Sequence, residues 1–242
     1  MKQFLLVFMA FLLSAKLLAQ LPANTPGTPV QLKLEEMVIK DSGGTIYPAE
    51  LARRLLGTGK YILRMSKDRT TAFLAMLSDA EIEKRNASLP KPAESKFFKT
   101  GQKIASFSER DMKGNKFSLK ELAGKVVVLN FWFINCPPCR MEIPQLNELV
   151  VNYQQNPDVV FIAVALDERY DIQEFLKTNP FRYNIIDGGR YIASKYNINL
   201  YPTHLVLDKE GKAVFHSSGY SMGMVPWIKK SIDASLAGTI LP

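Results

Sequence analysis

Two stretches in the second half of the chain, 126–133 and 159–166, are apolar at nearly every position. Runs of that length fit strands buried on both faces. Between them, 138–155 has the length of a helix, so strand, helix and strand predict a βαβ unit with parallel strands. Downstream, 171–178 predicts a helix, 183–186 a short strand and 190–196 another short helix. The segments 203–207 and 213–217 alternate around Asp208-Lys209-Glu210-Gly211, the pattern of a hairpin. Residues 222–236 predict a closing amphipathic helix.

The first half is patterned more weakly. A leader with Pro22, Pro26, Gly27 and Pro29 precedes a predicted strand at 31–40 and a turn at Asp41-Ser42-Gly43-Gly44. Residues 48–56 predict a helix, with Pro48 at its start and Gly57 just past its end. A strand is predicted at 61–65 and a helix at 79–86, and Pro90-Lys91-Pro92 marks a linker. The expected organisation is a signal peptide at 1–19, a small α/β extension of unknown role at 20–96 and a main α/β domain at 97–242.

The start of the chain carries its own signal. Lys2 precedes an apolar run at 4–13, and Leu17-Leu18-Ala19 supplies a small residue before Gln20. A charged start, a short apolar core and a small residue at the cut predict a secretory signal peptide cleaved after Ala19. The expected location is therefore the periplasm or cell envelope. Composition agrees with a soluble globular product: 47% of the 242 residues are hydrophobic and 22% charged. Those values exclude a disordered chain and a multi-span membrane protein. The net charge of +8 is dispersed, without a block of five consecutive basic residues, and predicts no nucleic-acid partner.

The chain has two cysteines, Cys136 and Cys139, in the run Cys136-Pro137-Pro138-Cys139. A disulfide closing so small a loop constrains the unfolded chain very little, so the pair is better explained by reactivity than by stability. Its predicted position, after a buried strand and at a helix N-terminus, favours the thiolate through unpaired N–H groups and the helix dipole. Pro137 and Pro138 have no N–H, so the Cys136 sulfur must take backbone hydrogen bonds from Cys139 or beyond. Arg140 adds a cation nearby. Cys136 is expected to attack and Cys139 to resolve the mixed disulfide.

Other chemistries fit less well. A zinc site needs about four ligands, and only His204 and His216 supplement the cysteines. Their spacing does not match a common finger. Copper binding or delivery through the two thiols and His204 is an alternative, although His204 reads first as a plain sheet residue. A peroxiredoxin-like peroxidase would want Thr or Ser three residues before its reactive cysteine, where this chain has Phe133.

The segment from Lys125 to Pro144, KVVVLNFWFINCPPCRMEIP, resembles the active-site segment of the TlpA/ResA family of thioredoxin-like proteins. The resemblance runs from about Gly101 to the C-terminus and includes Gly124-Lys125, Pro144, Tyr201-Pro202-Thr203 and Gly219. It implies a thioredoxin-like fold, a central mixed sheet flanked by helices, following the small α/β extension. It implies that Pro202 matches the family's cis-proline, with Tyr201, Pro202 and Thr203 beside the sulfurs and Trp132 packed next to them. Glu142 matches an acidic residue placed to relay a proton, and Pro144 a helix kink. The implied activity is disulfide exchange without a cofactor or metal. The implied partners are disulfide-containing exported clients such as apocytochrome c, with a membrane thiol donor as reductant. Two departures stand out. Asn130 replaces the buried aspartate of thioredoxin, and Asn135 replaces a tryptophan common before the first cysteine.

Overall fold

The structure is a computed structural model that describes residues 33–67, 70–239 and 241. The predicted signal peptide and the leader up to residue 32 lie outside the described residues. Residues from Leu34 onward cluster as one compact unit.

The chain enters through a 3-10 turn, Leu34–Glu36, followed by β1 (Val38–Lys40), α1 (Ala49–Gly57), β2 (Tyr61–Met65), β3 (Thr71–Met76) and α2 (Asp79–Ser88). Of the predicted strand at 31–40, residues 31–32 lie outside the described residues, and among the rest only Val38–Lys40 is a strand. The 3-10 turn occupies Leu34–Glu36 and brings Leu34 into the cluster that holds Ile39, Ala52 and Leu74. β3 has no counterpart among the predicted elements, although Ala72 and Leu74 alternate inward against the exposed Phe73. It forms the middle of a small sheet, parallel to β1 and antiparallel to β2. Ser78 and Glu81 close a reciprocal capping box at the start of α2.

A short hairpin of β4 (Ser108–Arg110) and β5 (Lys116–Ser118) follows, also unanticipated because its strands are brief and largely polar. The main sheet then forms from β6 (Val126–Trp132), α3 (Pro137–Asn152), β7 (Val159–Ala165), α4 (Arg169–Thr178), β8 (Asn184–Ile186), α5 (Arg190–Lys195), β9 (Thr203–Leu207), β10 (Ala213–Ser218) and α6 (Met224–Ala237). Strand order is β10-β9-β6-β7-β8. β6, β7 and β8 run parallel, β9 runs antiparallel to β6, and β10 antiparallel to β9. The β9–β10 turn closes through Gly211 N–H to the Asp208 carbonyl, with Gly211 at φ 75°, where a side chain would be strained.

Alternation along β6 sorts its side chains to two cores. Val126, Val128 and Trp132 join the core shared with Ile143 and Leu146 of α3 and Ile228 and Ile232 of α6. Val127, Leu129 and Phe131 join the opposite core, shared with Ile192 and Ala193 of α5. The same two-residue period puts Asn130 on the α3 side. On β9, Val206 belongs to that side and Leu205 to the other, so His204 also faces α3.

The segment after α2 is tied to the main sheet. Trp227 Nε1 donates to the Leu89 carbonyl at 3.0 Å and Ser217 Oγ to the Ala93 carbonyl at 2.8 Å. The Ser95 N–H donates to His216 Nδ1 at 3.1 Å. Lys60, just before β2, pairs with Glu148 of α3 at 3.0 Å. No helix among the described residues is long and apolar enough to cross a membrane.

Candidate active site

Strand β6 ends at Trp132, and three residues carry the chain to Cys136, the N-cap of α3. That short connection is held from both sides. The Ile134 N–H donates to Asp167 Oδ2 at 2.7 Å, and the Cys136 N–H to the Phe133 carbonyl at 3.2 Å. Asp167 follows β7 and was not singled out from the sequence; its only signal there is a carboxylate just beyond a buried strand.

Cys136 and Cys139 form a disulfide with their Cα atoms 5.3 Å apart. Pro137 and Pro138 occupy the first helical positions, so the Cys139 N–H is the first backbone donor of α3. It donates to Cys136 Sγ at 3.3 Å, the arrangement that the two prolines require. Cys136 is 3% exposed and Cys139 2% exposed, while Asn135 and Pro137 form a solvent-facing rim. Arg140 stacks over the Phe175 ring at 5.7 Å, and α3 continues past Pro144 to Asn152.

The Tyr201–Pro202 peptide bond is cis. The loop reaches the cysteine turn through Tyr201, whose ring meets the edge of Phe133 at 5.5 Å between centroids. The Tyr201 hydroxyl donates to the Ile198 carbonyl at 3.0 Å. Thr203 is fully buried, and its hydroxyl is engaged by the Leu200 carbonyl at 2.7 Å and Ser218 Oγ at 2.6 Å. Its side chain is therefore committed internally. Trp132 is buried beneath the site between Phe175 and Phe181, with ring centroids at 5.6 and 5.5 Å.

Behind the cysteines lies a polar cluster in an apolar core. Glu142, one turn of α3 beyond Cys139, is 3% exposed and turned inward. Its Oε1 lies 2.8 Å from His204 Nε2 and accepts from Asn130 Nδ2 at 3.3 Å. Asn130 Nδ2 also lies 3.2 Å from His204 Nδ1. Asn130 and His204 are direct cross-strand partners of β6 and β9. One tautomer satisfies the whole ring: the two Asn130 N–H groups donate to Glu142 and His204 Nδ1, and His204 Nε2–H donates to Glu142. Glu142 Oε2, Trp132 Nε1 and Tyr183 Oη are buried without a hydrogen bond. Burial, followed by the charge of Glu142, holds the Tyr183 hydroxyl well above its ordinary value and also raises Tyr220.

His204 is thus more than a plain sheet residue. Its two nitrogens are occupied by Asn130 and Glu142. His216 sits opposite Leu205 and so faces the other side of the sheet. The two histidines cannot join one tetrahedral site, and among the described residues no three His, Cys, Asp or Glu side chains gather as a metal set. A groove of about 550 Å³ runs beside Pro137, Arg140 and Pro144 of α3, with Arg53 and Leu55 of α1 on its far wall. The N-terminal extension therefore borders the cysteine helix.

A family model described as the AhpC/TSA family matches residues 100–216. The chain is 37% identical over 116 residues to the thiol-disulfide oxidoreductase ResA of Bacillus cereus, covering 47% of this chain and 66% of that protein. It is 35% identical over 121 residues to ResA of Bacillus thuringiensis subsp. konkukian, covering 49% and 69% respectively. With ResA of Halalkalibacterium halodurans it shares 30% over 129 residues, 52% of this chain and 73% of that one. The chain thus spans about two thirds of the length of these relatives. Among solved structures, a Chlorobium tepidum chain assigned as a DsbE thiol:disulfide interchange protein superposes with a TM-score of 0.52 at 26% identity. That match covers 57% of this chain and 99% of the other. With its thioredoxin-like sheet, its disulfide at the N-terminus of α3 and a cis-proline loop that meets the Phe133 turn, the chain belongs to the ResA-like family of thioredoxin-fold thiol-disulfide oxidoreductases.

Proposed function

We propose that the protein is exported and reduces disulfides in client proteins of the periplasm or cell envelope. The observation that carries this reading is the Cys136–Cys139 disulfide at the N-terminus of α3, with Cys139 N–H as the donor to Cys136 Sγ. In the dithiol form that N–H and the helix dipole stabilise a Cys136 thiolate. The thiolate attacks one sulfur of a client disulfide, a Cys136–client bond forms, and the other client sulfur leaves as a thiolate. Cys139 then attacks Cys136, closing the internal disulfide and releasing the second client sulfur. Two electrons pass to the client, and a membrane thiol donor restores the dithiol. Exported proteins with cysteine pairs, apocytochrome c among them, form the client class, in keeping with the signal-peptide pattern at 1–19. The proposed roles are nucleophile for Cys136, resolving thiol for Cys139, proton acceptor for Glu142 and a docking edge for an extended client at Tyr201-Pro202-Thr203.

Purified protein should accelerate insulin reduction by dithiothreitol, and Cys139→Ser should trap mixed disulfides with envelope proteins. Failure of both would remove the reading. A reduction potential well below about −200 mV supports a reductant, and one near −120 mV an oxidant. The AhpC/TSA match invites a second reading as a peroxidase. Phe133 occupies the position where that chemistry wants a hydroxyl, and a peroxide-consumption assay with the dithiol protein separates the two.

A further inference from the structure

The Asn130–His204–Glu142 ring is wholly buried on the core side of α3, and it joins three elements: β6, β9 and the cysteine helix. A carboxylate in such a core is costly, and without a donor it takes up a proton and keeps it. Here Oε1 receives both Asn130 and His204, while Oε2 is buried and carries no hydrogen bond. One oxygen is held and the other is left open as an acceptor. Asn130 can donate but cannot exchange a proton. The imidazole can do both.

We infer that His204 is a positioning residue for disulfide exchange, keeping Glu142 ionised in the core and sharing the proton that Glu142 takes from Cys139. The inference rests on the reading of Glu142 as proton acceptor and adds the group that sustains it. In the resolving step the Cys139 S–H proton passes to Glu142. The Cys139 thiolate then attacks Cys136 Sγ, the Cys136–client bond breaks, the Cys136–Cys139 bond forms, and the client thiolate takes a proton from solvent. The ring goes from one negative charge to none, and the proton is held between carboxylate and imidazole. The groups facing Glu142 are His204 from β9, Asn130 from β6, Tyr183 before β8, Tyr220 before α6, and Cys139 one turn earlier on its own helix. Both tyrosines are held protonated near neutral pH, with burial as the leading cause, so His204 is the partner that can exchange a proton there.

The test follows the two thiols separately. Reduced protein mixed with excess Ellman's reagent should release one thionitrobenzoate as Cys136 attacks and a second as Cys139 resolves the adduct. His204→Leu should slow the second release about tenfold at neutral pH and move its pH midpoint up by about one unit. The first release should change by less than about twofold. His204→Gln, which keeps an N–H donor, should restore most of the midpoint. Glu142→Gln should slow the second release as well, and adding His204→Leu to it should cost little more. An unchanged second release in a folded His204→Leu variant overturns the inference alone. An unchanged second release in Glu142→Gln overturns the Glu142 reading and the inference with it. Should His204→Leu fail to fold, His204→Met, which keeps the volume and removes both ring nitrogens, takes its place, and an unchanged second release in it rejects the role.

Discussion

His204 Nε2 lies 2.8 Å from Glu142 Oε1, with His204 fully buried and Glu142 3% exposed. Asn130 contacts both, but the shared contact is the shortest of the ring and pairs His204 Nε2 with an acceptor that Asn130 does not replace. Replacing Glu142 alone leaves His204 Nε2–H without its acceptor, and replacing His204 alone leaves Glu142 with the single donor Asn130, at a cost of about 1–3 kcal/mol. Glu142→Leu and His204→Leu should each lower unfolding stability by that order, and the double variant by clearly less than the sum. Urea unfolding of the four proteins in the cycle checks this; strict additivity would mean the contact carries no coupling.

Tyr183 presents the opposite case. Its hydroxyl is buried without a partner and near the charge of Glu142. Its ring packs against Phe161 at 5.1 Å and Phe181 at 4.7 Å. Tyr183→Phe keeps the ring and removes a desolvated hydroxyl. Stability should rise by about 1 kcal/mol. A loss of similar size in the unfolding midpoint would show that the hydroxyl has a partner in solution.

Gly189 donates to the Ala165 carbonyl at 2.7 Å just before α5. A Cβ there would lie 2.3 Å from Val164 Cγ1 and 3.0 Å from the Ala165 carbonyl oxygen. Neither the core of β7 nor its backbone can yield easily. Gly189→Ala should cost about 1–3 kcal/mol through overpacking, read from thermal unfolding. A midpoint equal to wild type would mean that α5 shifts freely.

His216 predicts a pH dependence. Burial lowers its value below the usual 6.5, with Lys91 acting the same way, and outweighs the nearby Glu94 and the hydrogen bond from Ser95. Folding therefore favours neutral imidazole. The stabilising contribution is complete above 6.5 and declines as pH falls through the lower folded value. His216→Asn keeps an acceptor for Ser95 N–H but does not titrate. The stability difference between wild type and this variant should shrink as pH falls from 7 toward 5. A difference independent of pH in that range refutes the assignment.

Much of the main domain was readable in advance because its signals are local. The apolar runs at 126–133 and 159–166 became the parallel pair β6 and β7, and Asp208–Gly211 became the hairpin turn. Features that depend on distant neighbours leave no local pattern. Within the predicted strand at 31–40, Leu34–Glu36 form a turn that serves Leu34, and the polar β4–β5 hairpin has no alternation to betray it. His204, read as an ordinary strand residue, proved to be the partner of Glu142.

By itself the chain's sequence determined the reactive pair, the two prolines that strip donors from the helix start, and the buried strand that delivers them. Those properties belong to adjacent residues, and covalent geometry carries them into any fold. Only the tertiary structure decided that Glu142 points inward and what it meets there. That outcome depends on the register between β6 and β9, which sets Asn130 opposite His204 across 74 positions of sequence. A shift of one residue in that register would turn His204 to the other face of the sheet and leave the buried carboxylate without its imidazole.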